Sequence, residues 1–189
     1  MVNCVDKGKE YPLIAGYQKK ELLGHTNSKQ RWKNLVSCGG KYGDINNILK
    51  FQSIFNITLP NTYRELMTRY NNPKFEQDTF DFYDPYHERK SLASFGFDGF
   101  NSQYENIYNQ FIYSDEDGYE NVYSFAHTSE GNWLCFDYRD CPTTSEPKIS
   151  LVIHDEYNDE IGKWLILPVA NNFDDFLDSL YDFNERYPD

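Results

Sequence analysis

Four histidines, four cysteines and several acidic clusters are the residues of this 189-residue chain that can do chemistry. His154-Asp155-Glu156 sets an imidazole beside two carboxylates, the raw material of an acid/base pair or a metal ligand set. A strand end running into an acidic turn accounts for the same residues. Cys135 with His127 or His154 can form a nucleophile pair in space. A thiol inside Trp133-Leu134-Cys135-Phe136 is more often an inert core residue. Asp115-Glu116-Asp117-Gly118 resembles part of a calcium loop, but the regular oxygen spacing and the terminal Glu of such a loop are missing, and a solvated acidic turn is expected. Asp81 with Asp84, or Asp137 with Asp140, can pair as carboxylates, although 30 acids supply such pairs by chance. Gly39-Gly40-x-x-Gly43 is followed by no Gly-Lys-Ser/Thr, so it is not a phosphate loop. His-Glu-x-x-His, Cys-x-x-Cys and Gly-x-Ser-x-Gly are all missing from the sequence. No catalytic residue, metal site or cofactor is expected.

The elements that position these residues follow from periodicity. Asp44 is placed to cap a helix with apolar Ile45, Ile48, Leu49 and Phe55, its stripe widened by Phe51 and Ile54. Pro60 fits a first helical position. Tyr63, Leu66, Met67 and Tyr70 then recur at i, i+3, i+4 and i+7, and Asn71-Asn72-Pro73 is a stop signal. Strands are expected at Thr79 to Tyr83, Asn121 to His127, Asn132 to Tyr138, Lys148 to His154 and Trp164 to Val169. Thr128-Ser129-Glu130-Gly131 is the loop of a hairpin, and Pro168 places its strand at a sheet edge. Asn106 to Tyr113 fits either helix or strand. A closing helix is capped by Asn172, carries Asp174 and Asp175 in its first turn, and lines Phe173, Phe176, Leu177, Leu180 and Phe183 along one face. Residues 1–43 show little periodicity and are an N-terminal extension, in which Leu22-Leu23 and Trp32-Leu35-Val36 suit short helical turns packing on the body. Helices, then strands, then a helix make residues 44–189 an α+β domain with a mainly antiparallel sheet.

Composition bounds the partners. Aromatics are 17% of the residues, with 16 Tyr and 14 Phe, which builds a core despite a mean hydropathy of −0.76. The net charge of −12 is unevenly spread: residues 1–50 carry nine Lys/Arg against four Asp/Glu, and residues 51–189 carry nine against 26. Such a field repels nucleic acid and anionic membrane, and attracts a basic protein. No apolar run follows Met1, no stretch is long enough to span a membrane, and the scattered Cys4, Cys38, Cys135 and Cys141 form no disulfide framework. Cys4–Cys38 or Cys135–Cys141 is a conceivable bridge, but reduced thiols in a cytoplasmic protein are expected. Asn56-Ile57-Thr58 is then a glycosylation sequon by letter only.

The order of these pieces resembles the SUKH superfamily, which includes yeast cell-wall-assembly regulators and many bacterial immunity proteins. The helix from Ile45 to Phe55 leads into Leu59-Pro60-Asn61-Thr62-Tyr63-Arg64-Glu65-Leu66, similar to the family's Leu-Pro-x-x-Tyr helix. Asn71-Asn72 stands where the family usually has Asn-Gly. Ser124-Phe125-Ala126 and Glu130-Gly131-Asn132-Trp133-Leu134-Cys135-Phe136-Asp137 resemble its hairpin ending in Asp. Ile149 to Ile153 followed by His154-Asp155-Glu156, and Val169-Ala170-Asn171-Asn172-Phe173-Asp174-Asp175-Phe176-Leu177, resemble its next strand and its closing helix.

The resemblance implies an α+β fold without enzymatic activity, and an immunity protein that binds and neutralises a cognate toxin domain, often a nuclease. A scaffolding module of the yeast-regulator type is the alternative. An acidic surface can imitate phosphate in a nuclease cleft. Its candidate residues are Asp115, Glu116, Asp117, Glu120, Asp137, Asp140, Asp155, Glu156, Asp159 and Glu160. Tyr113, Tyr119, Tyr138 and Tyr157 are candidate anchors or packing residues. A third possibility, a small enzyme using His154, Asp155 and Cys135, requires these to converge in a pocket.

Overall fold

The computed structural model describes residues 32–38, 43–85, 87–100, 107 and 117–188. A short helix α1 (Trp32–Leu35) and strand β1 (Val36–Cys38) precede helices α2 (Ile45–Phe55) and α3 (Asn61–Arg69). Strands β2 (Lys74–Phe75), β3 (Thr79–Asp84), β4 (Arg89–Phe97), β5 (Val122–Thr128), β6 (Trp133–Asp137), β7 (Lys148–Asn158) and β8 (Lys163–Ala170) follow. Helices α4 (Phe173–Ser179) and α5 (Phe183–Arg186) close the chain. β3 to β8 form one antiparallel sheet in sequence order, and β1 pairs with β2. The fold is α+β.

Local chemistry explains the helix ends. The Asp44 carboxylate accepts from the Asn46 amide and starts α2, which ends on Asn56 at φ 52°, a left-handed cap that Asn tolerates. Ile48 and Phe51 are its buried residues, whereas Ile45, Leu49 and Ile54 are exposed. Pro60 is the cap of α3 rather than its first residue, with an extended ψ of 138° that lets Asn61 begin the helix. The Asn172 side chain accepts from the Asp175 amide to start α4. That helix stops at Ser179, so Phe183 is not on its buried face: it opens α5 and is exposed.

α2, α3 and α4 cover one face of the sheet. Tyr63 of α3 meets Phe97, Phe125, Phe136 and Phe173 at ring separations of 4.9–6.4 Å. Trp32 and Leu35 join the same core. Gly43 lies so close to the Met67 carbonyl at the end of α3 that a Cβ there collides with it, so this glycine serves close backbone approach. β4 falls in a stretch without a strand pattern, because Arg89-Lys90 and Gly96 dilute its apolar residues. Among the residues read as helix or strand at Asn106 to Tyr113, only Ile107 is described, and it is buried. Leu22 and Leu23 lie outside the described residues.

β3 and β8 end the sheet, yet they pack against one another, so the sheet curls. β7 runs beyond β6, whose first residue Trp133 pairs with Val152, and continues past an irregularity between Ile153 and Tyr157 to Asn158. β8 lies at the sheet margin, where Pro168 removes no ladder donor that a further strand would need.

Candidate functional site

The second face of the sheet carries most of the residues singled out for chemistry. Cys135 is paired with Ser150 and Ser124, Trp133 with Val152 and His127, so the odd-numbered positions of β6 point away from the helices. The segment from Asp117 to Asn121 crosses this face. Its Asp117 carbonyl accepts from the Trp164 amide at 2.9 Å, and its Asn121 carbonyl accepts from the Tyr138 amide at 2.8 Å. Between them Tyr119 packs with Val122, Cys135 and Val152, and its hydroxyl donates to the Trp164 carbonyl. The Arg139 guanidinium stands 4.8 Å from the Tyr119 ring centre and the Lys163 ammonium 5.5 Å. Tyr119 is therefore a strap residue, and Tyr138 is buried with its hydroxyl on the Thr58 carbonyl at 2.7 Å. Tyr157 is exposed, and Tyr113 lies outside the described residues.

The acidic candidates fall into two groups at opposite ends of the sheet. Asp155, Glu156, Asp159 and Glu160 belong to the far half of β7 and the turn into β8, and Asp117 is held beside them through Trp164. Asp155, Asp159 and Glu160 are exposed. Glu120, Asp137 and Asp140 lie towards the other end, where Asp137 pairs with Lys148 across the strands. There Asp137 and Asp140 are locally answered, while Glu120 is exposed. Asp137 is buried, meets Arg139 at 2.7 Å and accepts from the Ser150 hydroxyl at 3.0 Å. Asp140 meets Lys148 at 2.7 Å. Asp115 and Glu116 lie outside the described residues.

The nucleophile constellation is not assembled. Cys135 is free and fully buried, and its thiol donates to its neighbour Trp133's carbonyl at 3.4 Å. Burial, then the nearby Asp137 and Asp98, push that thiol well above its ordinary range, the wrong direction for a nucleophile. His154 meets Asn132 at 3.2 Å and Asp155 at 3.2 Å. It sits four residues along β7 from Ser150, the partner of Cys135, a rise of about 13 Å. Cys141 is disulfide-bonded, and since Cys135 is free, the Cys135–Cys141 bridge does not form. The expectation of reduced thiols thus holds for Cys135 and not for Cys141.

Two groupings escaped the sequence reading. Asp98, fully buried, meets the His127 imidazole at 2.9 Å and accepts from the Ser124 hydroxyl at 3.3 Å. Its only sequence signal is an acid among phenylalanines. Asp84, His87 and Glu156 bring ligand-capable atoms within 4.8 Å of one another. No spacing announces that cluster, because its members come from the β3–β4 turn and from β7. No helix among the described residues is long and apolar enough to cross a membrane.

No curated protein and no solved structure matches the chain. The family profile of the SMI1 / KNR4 family (SUKH-1) matches residues 44–179, from the cap of α2 to the last residue of α4. That span holds both long helices, the whole curled sheet and the strap, and on this evidence the chain belongs to the SMI1 / KNR4 family, SUKH-1.

Proposed function

We propose that this protein is an intracellular immunity protein that binds a cognate protein toxin, with a nuclease as the favoured class, and neutralises it by covering its active cleft. Family membership supports a protein partner. The observation that carries the reading to a surface is the uneven fate of the acidic residues. At one end of the sheet Arg139 and Lys148 answer Asp137 and Asp140, while Asp155, Asp159 and Glu160 stay exposed at the other. Exposed carboxylates at the end of a rigid sheet, where among the described residues only the His154 imidazole stands beside Asp155 at 3.2 Å, suit a basic cleft and speed encounter with it. Tyr157, exposed in the same stretch, is the aromatic anchor of this face. The protein acts without catalysis or cofactor, by occupancy alone.

The test is direct. A toxin domain encoded beside this chain's gene, purified and assayed alone, loses its activity on mixing with a small excess of this protein, and the two elute as a one-to-one complex. Full toxin activity in excess protein overturns the reading. Many weak partners in a pull-down, with no single tight one, favour the scaffolding alternative that family membership equally allows.

A further inference from the structure

We propose that Asp84, His87 and Glu156 form a binding site for a divalent transition-metal ion of the zinc class, at the seam where the curled sheet brings the β3–β4 turn against the outer half of β7. Asp84 is the last residue of β3 and pairs with Arg89, so His87 lies in the turn between them. The His87 amide donates to one oxygen of the Asp84 carboxylate at 3.2 Å, and its Nδ1 meets the other at 2.6 Å. The carboxylate is thereby fixed, and its side chain is only 7% exposed, against 49% for His87. Glu156 arrives from a strand more than sixty residues away in sequence, delivered by the packing of β3 on β8 and by the irregularity of β7 between Ile153 and Tyr157.

The donor set decides the ion. The three groups offer ligand atoms that lie within 4.8 Å of one another. Bonds of about 2.1 Å to a common ion bring ligand atoms to roughly 3.4 Å in a tetrahedron. The Asp84–His87 pair, 2.6 Å apart, opens by about 0.8 Å to admit the ion, and rotamer adjustments of the accessible His87 and Glu156 bring their ligand atoms to that spacing while Asp84 stays as the anchored ligand. One imidazole with two carboxylates is a borderline set. Calcium asks for six to eight oxygens and magnesium for a near-octahedral oxygen shell, neither of which this cluster supplies. Zinc accepts three nitrogen and oxygen ligands and leaves a fourth position to water. Two carboxylates also match the ion's double charge. Bound there, the ion pins the turn to β7 and stiffens the sheet end beside Asp155, Asp159 and Glu160. The site stands independently of any toxin.

The experiment uses the full chain stripped with a chelator and dialysed. Titration with zinc chloride is followed by calorimetry and by thermal unfolding, with calcium and magnesium chlorides in parallel. One zinc ion per chain, a raised Tm and negligible calcium or magnesium binding are expected. His87→Ala and Glu156→Gln each weaken zinc binding by at least about tenfold, and Glu156→Gln keeps metal-free melting close to that of the parent. Glu76→Gln, a change at an exposed acid beside β2, leaves zinc binding unchanged. No saturable zinc binding, or binding that survives both His87→Ala and Glu156→Gln, overturns the proposal. So does a preference for calcium. Because Glu156 is partly accessible and accepts a near-isosteric amide, that variant keeps the test valid if His87→Ala fails to fold.

Discussion

Tyr63 shows how one side chain ties the helices to the sheet. It is fully buried, and its ring lies among four phenylalanines from β4, β5, β6 and α4. Its hydroxyl has no protein partner among the described residues, and burial, followed by the field of Asp98, pushes its ionisation well above the ordinary tyrosine range. Ring and hydroxyl therefore contribute differently. Tyr63→Phe keeps the packing and changes stability by less than about 1 kcal/mol. Tyr63→Ala opens a cavity at the centre of the core and costs about 3–5 kcal/mol. Urea denaturation of both variants checks this, and a large loss in Tyr63→Phe contradicts it. Tyr63 was legible in the sequence because its partners Leu66 and Met67 share its helix face at fixed spacing. Asp84, His87 and Glu156 were not legible, because only the curl of the sheet joins them. For Tyr119 the packing alternative holds, and what the sequence does not show is that its hydroxyl pins a strap across the sheet.

At the scale of elements, the helix starts are where sequence and fold agree best. Asn172 and Asp175 cap α4 reciprocally: the Asp175 backbone amide donates to the Asn172 side-chain Oδ1 at 2.8 Å, and the Asn172 side-chain Nδ2 donates to the Asp175 carboxylate at 3.0 Å. Burial, then the neighbouring Asp178, raise the Asp175 carboxyl above its usual value of 3.8, while the bond from Asn172 opposes the rise. A carboxyl raised on folding contributes stability that is complete below its unfolded value and lost as pH rises through the folded one. Removing the Asn172 donor raises it further and enlarges that loss at neutral pH. Asn172→Ala is thus expected to cost about 1 kcal/mol near pH 7 and distinctly less near pH 3, as read by thermal melts at both values. An equal deficit at both pH values contradicts the ionic part of the account. Such caps are local and hence readable. β4 was missed because its case rests on pairing with β3 and β5 rather than on its own alternation, and the run of β7 past His154 depends on β8 as its partner. Periodicity alone carries Phe183 onto the face of α4, but Leu180 caps that helix first.

For the whole molecule, the proposed docking face rests on how the fold distributes the net charge rather than on the charge itself. The formal charge of −12 was plain in the sequence, as was the excess of acids beyond residue 50. The split of those acids between two ends was not, because Asp137 and Asp140 look in sequence like Asp155 and Asp159, and only the fold buries Asp137 and sets Arg139 and Lys148 beside the first pair. The split makes a directional prediction. Asp155→Asn, Asp159→Asn and Glu160→Gln combined remove three exposed charges from one end; Glu120→Gln with Asp140→Asn removes charge from the other. If a basic cleft is steered to the β7–β8 turn, the first combination lowers the association rate with a basic toxin domain by about tenfold at low salt and flattens its salt dependence. The second has a distinctly smaller effect, since Lys148 already screens Asp140 and only Glu120 loses an exposed charge there. Stopped-flow association measured from low to physiological salt decides between them. Equal effects from the two combinations reduce the acidity to a diffuse solubility charge and leave the docking face to be sought elsewhere on the fold.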